Sequence, residues 1–273
     1  MPSLDDLNRA ARKDFVAALG AVFAHAPRVA EAAAARRPFA TVEGLLAALR
    51  EALEAAPDAE RRALLTNQPE CAGLDRLSEA EHARFAALTA AYTDRFGFPF
   101  ILCVQRHGRA ALLRACAARL ASDPETERAT AQDEVLRIAA IRLCALVEGA
   151  GMPRTTGRIS THVLDTVTGR PAPGVEVELH EWVSDTETVL IARAETNADG
   201  RTDAPLVGGR PVPIAPYDLR FRIGDHFRAT HPGLPEPPFL DIVSLRFGVA
   251  DPEGHYHVPL VASPWSYQTY RGS

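Results

Sequence analysis

The chain has 273 residues, 47% hydrophobic and 24% charged, with 30 basic against 35 acidic side chains for a formal net charge of -5. At roughly 150 residues per domain this is one large domain or two small ones, and either leaves enough chain for real cores. The composition excludes wholesale disorder, the acidic balance argues against a nucleic-acid partner, and no apolar run approaches the ~20 residues of a membrane helix. The N-terminus carries acids early and has no apolar signal core, so a cytoplasmic protein is expected. Of the basic residues only Lys13 is lysine. Cys71, Cys103, Cys116 and Cys144 form no CxxC pair, which points to buried reduced thiols rather than a metal knuckle or disulfide framework.

Through about Val147 the chain is alanine-rich and helical in period, predicting an all-α bundle over residues 1–150. Ser3 with Asp6, Ser78 with Glu81 and Ser122 with Glu125 fit capping boxes. Phe85, Leu88, Tyr92 and Phe96 share a helix face and read as core. The stretch Gly97-Phe98-Pro99-Phe100-Ile101 breaks the rhythm. It is either a rigid apolar connection into the bundle or a loop presenting backbone N–H groups to a ligand.

The segment Gly149-Ala150-Gly151-Met152-Pro153 reads as a short linker. Beyond it the chain turns to proline, β-branched residues and alternation. The first 154 residues hold 20 basic and 20 acidic side chains, the remainder 10 and 15. Residues 155–273 therefore predict a second domain, an all-β sandwich that carries the whole net charge. Ile159, Thr161 and Val163 alternate with polar neighbours, as do Val175, Val177 and Leu179, and again Tyr217, Leu219, Phe221 and Ile223. His255 and His257 share one strand face. No carboxylate or cysteine completes a metal set beside them, so no metal is expected, and acid–base work or solvated surface histidines remain.

Three segments of the second half carry a resemblance: Arg158-Ile159-Ser160-Thr161-His162-Val163-Leu164-Asp165, Asn197-Ala198-Asp199-Gly200-Arg201, and His257-Val258-Pro259-Leu260 running on to Tyr270-Arg271-Gly272-Ser273. With them this half resembles the 5-hydroxyisourate hydrolases, the enzymatic branch of the transthyretin-like family. The resemblance implies a catalytic set of His162, Arg201, His257 and Ser273, with Tyr270, Arg271 and Gly272 orienting substrate. It implies hydrolytic ring opening of 5-hydroxyisourate with no cofactor, a small molecule as the only partner, and a homotetramer built through this domain. Either His257 or His162 would serve as base, and Arg201 would steady the developing oxyanion. His255, His180, His226 and His231 lie outside that set and read as solvated.

The first half resembles 2-oxo-4-hydroxy-4-carboxy-5-ureidoimidazoline (OHCU) decarboxylases. The likeness runs through Asp14-Phe15-Val16, Arg37-Pro38-Phe39, Ala72-Gly73-Leu74, Arg95-Phe96-Gly97-Phe98-Pro99-Phe100 and Ile141-Arg142-Leu143. The family's histidine–proline motif is altered: Gln68 precedes Pro69 where the histidine belongs, and about twenty residues with a glutamate–glutamine pair are missing before Ala72. Glutamine cannot trade protons as imidazole does. The resemblance thus implies an N-terminal ligand site of Gln68, Gly97, Phe98, Ile101 and Arg142 with weak or absent decarboxylase activity. The alternatives are a bifunctional enzyme running on to (S)-allantoin and a non-enzymatic transthyretin-like ligand carrier.

Overall fold

The structure, a computed structural model, describes residues 1–23, 26–69 and 77–272. It divides into two compact units, Met1–Val104 with Leu112–Thr155, and Gln105–Ala111 with Thr156–Ser273.

The first unit is helical: α1 (Leu4–Arg9), α2 (Arg12–Leu19), α3 (Pro27–Ala34), α4 (Val42–Glu54), α5 (Asp58–Thr66), α6 (Glu79–Phe96), most of α7 (Arg109–Arg119) and α8 (Pro124–Leu146). The capping boxes at Ser3 and Ser78 form as the sequence predicts. The third differs. Asp123, not Ser122, caps α8, its carboxylate accepting from the N–H groups of Glu125 and Thr126, with Pro124 in the first turn. Apolar positions of α4, Leu45, Leu49 and Leu53 among them, are almost fully buried. Each such burial stabilises by roughly 1.5–3 kcal/mol.

The segment after α6 is the rigid apolar connection. Gly97 closes the helix at φ +76°, a left-handed conformation that suits glycine. Phe98, Phe100, Ile101 and Leu102 are then buried around Tyr92, whose ring meets those of Phe98 and Phe100 edge-on at 5.7 and 5.2 Å. Beneath them the Tyr92 hydroxyl donates to Glu127, and Arg119 donates to Glu127 and, at 2.7 Å, to the Ile101 carbonyl. Burial raises the Tyr92 pKa far above its ordinary value.

The expected linker is held. The Ala150 and Gly151 carbonyls each accept at 2.9 Å from the N–H groups of Val42 and Glu43, which α4 leaves unpaired at its N-terminus. Cys103 and Cys116 are buried and Cys144 half-buried, none of the three in a disulfide; Cys71 lies outside the described residues.

The second unit is a sandwich. One layer has the order β5-β4-β7-β8, all antiparallel: β4 (Glu176–Trp182), β5 (Thr188–Glu195), β7 (Ala215–Phe221) and β8 (Val243–Val249). Against it stand β1 (Gly157–Ser160), β6 (Val207–Arg210) and β9 (His255–His257), followed by β2 (Val163–Asp165), β3 (Arg170–Pro171), β10 (Leu260–Ser263) and β11 (Ser266–Gln268). The parallel pairing of β1 with β9 continues as β2 with β10. Ile159, Val163, Val177, Leu179, Leu219 and Leu260 fill the space between the layers, fully buried.

One strand ends earlier than its alternation predicts. β7 stops at Phe221, and Ile223 opens a helix, α9 (Ile223–Thr230), whose Ile223 and Phe227 turn to the same core one helical turn apart. Three histidines read as solvated are not fully so. His180 is buried, 2.9 Å from Glu178. His226, on α9, is half-buried 3.4 Å from Asp165, and His231 is half-buried at the C-cap.

The segment Gln105–Ala111 belongs with the sandwich. Ile214 N–H donates to the Arg106 carbonyl at 2.8 Å, Gly108 N–H returns to Ile214, and Arg106 pairs with Glu253.

Candidate active site

Parallel β1 and β9 run in a register that sets Arg158 beside His255, Ile159 beside Tyr256 and Ser160 beside His257. Strand side chains alternate, so Ile159 and Tyr256 turn into the core while Arg158, Ser160, His255 and His257 stand together on the other face. Just past β1, His162 joins them. Its Nδ1 lies 2.7 Å from His257 Nε2, the two rings stacked with centroids 4.9 Å apart. His257 Nδ1 meets Ser160 Oγ at 2.9 Å, and the same hydroxyl meets His255 Nε2 at 2.9 Å. Arg158 Nη2 meets His255 Nδ1 at 3.1 Å.

Arg201 arrives by a turn. Asn197 Oδ1 accepts from the N–H groups of Asp199 and Arg201, and Gly200, at φ +68°, passes so near β2 that a Cβ would lie 2.4 Å from the Val163 carbonyl. Only glycine fits there. The turn thereby places Arg201 opposite His162 in an isolated antiparallel bridge. Gly272 pairs with His257 in the same way, its N–H donating to the His257 carbonyl at 2.8 Å.

Electrostatics hold the histidines neutral. The His257 pKa is lowered to about 4, first by burial and then by the charges of His162 and Arg201. Burial and Arg201 lower that of His162 as well, and burial with Arg158 lowers that of His255. A pair of neutral imidazoles near a guanidinium can exchange protons with a bound water and steady negative charge on a carbonyl oxygen.

Of the residues predicted from sequence, the structure brings His162, His257, Arg201 and Gly272 together. Tyr270 is exposed, and Arg271 stacks over the buried Tyr256 ring at 4.8 Å. Ser273 lies outside the described residues. His255, read as solvated, is half-buried and hydrogen-bonded into the cluster through Ser160. The parallel register that recruits it leaves no local sequence signal; only its place two residues before His257 hinted at a shared face.

The N-terminal set is not gathered in the same way. Gln68 is buried, and its amide donates at 3.2 Å to the Leu64 carbonyl one helical turn back. Phe98 and Ile101 are core, and Arg142 reaches the Val22 carbonyl at 3.5 Å. A cavity of about 360 Å³ in this unit is lined by Pro27, Arg28, Val29, Leu53, Glu60 and Leu64 among others, and none of the five predicted residues lines it. Residues 70–76, beside Gln68, lie outside the described residues.

Comparison with known proteins matches residues 159–272 to the HIUase/Transthyretin family and residues 8–144 to OHCU decarboxylase. The chain belongs to both families. The second unit is similar to "5-hydroxyisourate hydrolase 2" of Rhizobium meliloti, 50% identical over 118 residues, covering 43% of this chain and 98% of that one. The first is similar to a 2-oxo-4-hydroxy-4-carboxy-5-ureidoimidazoline decarboxylase of Haloferax volcanii, 36% identical over 157 residues, covering 52% of this chain and 94% of that one. A crystal structure of (S)-allantoin synthase covers 100% of both chains at 33% identity with a TM-score of 0.54. The first match thus covers most of the helical unit together with residues 105–111 of the second, and the second match lies on the sandwich. His162, Arg201 and His257 fall within the HIUase/Transthyretin match, and Gln68 within the decarboxylase-family match.

Proposed function

We propose that the second unit hydrolyses 5-hydroxyisourate to OHCU through His162, His257 and Arg201, and that the first unit is weak or inactive as a decarboxylase. The chain is a hydrolase of urate degradation. The observation that carries the hydrolytic assignment is the His162–His257 pair, neutral and hydrogen-bonded, with the Arg201 turn bridged to His162. A neutral imidazole takes the proton of the attacking water, and Arg201 steadies the oxyanion. Gly272 packs the C-terminal segment onto His257, which supports roles for Tyr270, Arg271 and Gly272 in orienting substrate and for Ser273 in the catalytic set. By resemblance the second unit would form a tetramer.

For the first unit, Gln68 supports the reading. It holds the place of the family histidine, and its amide is spent on the Leu64 carbonyl. The alternative is a bifunctional enzyme that carries OHCU on to (S)-allantoin. The likeness to (S)-allantoin synthase across the whole chain favours it. One experiment ranks these readings. Freshly made 5-hydroxyisourate is given to the full-length protein and followed by ultraviolet absorbance and circular dichroism. Accelerated loss of substrate without chiral product supports hydrolysis alone. Rapid appearance of dextrorotatory allantoin supports both steps. No acceleration would instead support a ligand carrier.

A further inference from the structure

We propose that His162, His257, Ser160 and His255 form a proton wire from the hydrolytic site to solvent, with Arg158 at its outer end. The inference rests on the hydrolase reading and concerns how protons leave and return. Four hydrogen bonds of 2.7, 2.9, 2.9 and 3.1 Å link the five side chains without a gap.

Donor chemistry fixes the direction of these bonds. A guanidinium only donates, so Arg158 makes His255 Nδ1 an acceptor. Neutral His255 then carries its proton on Nε2 and donates to Ser160 Oγ. The hydroxyl donates to His257 Nδ1, and His257 Nε2–H donates to His162 Nδ1. His162 is left with its proton on Nε2, ready to be given away. Reversing every bond from His162 to His255 leaves His162 Nε2 bare, ready to accept, and puts a proton on His255 Nδ1. Arg158 then faces a donor, and as an exposed side chain it is free to turn into water.

Hydrolysis uses both directions. As the water oxygen bonds to the carbonyl carbon, its proton passes to His162 Nε2. The Nδ1 proton of His162 moves to His257, that of His257 to Ser160, that of Ser160 to His255 Nε2, and the His255 Nδ1 proton leaves to solvent. Arg158 then caps His255. When the ring C–N bond breaks, His162 Nε2–H protonates the departing nitrogen, each proton steps back, and solvent returns one to His255 Nδ1. One proton leaves and one returns. No imidazolium need persist beside Arg201, whose charge opposes one at both His162 and His257.

Ser160 is the link to cut. The full-length protein and its Ser160→Ala, Ser160→Thr, His255→Ala and Ser160→Ala/His255→Ala variants are given fresh 5-hydroxyisourate, measuring kcat, KM and a proton inventory in H2O–D2O mixtures. The wild type should give a curved inventory. Ser160→Ala should lower kcat about tenfold or more, less than loss of the acid–base group itself, with KM little changed, and make the inventory linear. Ser160→Thr should restore both. His255→Ala should match Ser160→Ala, and the double variant should lose no more, as residues acting through one path do. An unchanged kcat in Ser160→Ala, or additive losses in the double variant, would overturn the wire alone. A wild type that does not accelerate substrate loss would overturn the hydrolase reading, and the wire with it.

Discussion

His162 Nδ1 and His257 Nε2 lie 2.7 Å apart although 95 residues separate them in the chain. Two parallel strand pairs, β1 with β9 and β2 with β10, hold that distance, and His162 sits where the first gives way to the second. The pair is shared between strands that fold only when the sandwich does, so its chemistry and the stability of the second unit are linked.

That link has a sign. His257 is neutral in the folded protein, with a pKa of about 4 against 6.5 for the free side chain, and those of His162 and His255 are lowered too. Below about pH 6.5 the unfolded chain therefore binds more protons than the folded one. This contribution is full above pH 6.5 and is lost as pH falls toward 4, with His257 supplying about 3 kcal/mol. Both tryptophans, Trp182 and Trp265, lie in the second unit. Denaturant unfolding followed by their fluorescence at pH 7.5, 5.5 and 4.5 should show this fall, and a flat profile would contradict the neutral pair.

Gly272→Ala tests the approach of the C-terminal segment. A Cβ there would lie 2.6 Å from His257 Cδ2, closer than real contacts allow. Either the segment or the ring must move. The expected result is at least about a tenfold loss of kcat, because small misplacements of a reacting group are costly, with little change in melting temperature.

Arg106→Ala tests the segment that joins the sandwich from the middle of the chain. It removes the Arg106 guanidinium from Glu253, whose pKa burial already raises. The second unit should lose about 2 kcal/mol, less than the cost of breaking a fully buried pair. Tryptophan fluorescence reads this directly.

Gln68→His tests the first unit. If the family's glutamate–glutamine segment is missing, as the resemblance implies, one imidazole should not restore decarboxylation of OHCU supplied to the full-length chain. Carbon dioxide release above wild type by more than tenfold would show that the substitution alone silences the site.

Much of this was legible in the sequence. Periodicity separated helices from strands, and Ser3 and Ser78 announced their helices because a cap is a local event. The end of β7 was not legible, since Ile223 continues the alternation and only the core shared with Phe227 turns it into a helix. Nor was the attachment of residues 105–111, which depends on Ile214 and Glu253 more than one hundred residues away. In the site, His162, Arg201 and His257 were carried by their motifs. Ser160 stands in the first motif and His255 two residues before the third, but their link was not legible, because the hydroxyl joins the two histidines only once β1 and β9 are paired.

The most direct test compares the full-length protein with His257→Ala on freshly made 5-hydroxyisourate, following the initial rate of ultraviolet absorbance loss. The wild type should accelerate the loss well above the spontaneous rate, and His257→Ala should fall at least about a hundredfold while staying folded. A His257→Ala protein that hydrolyses the substrate as fast as wild type would contradict the assignment of this histidine pair as the hydrolytic site.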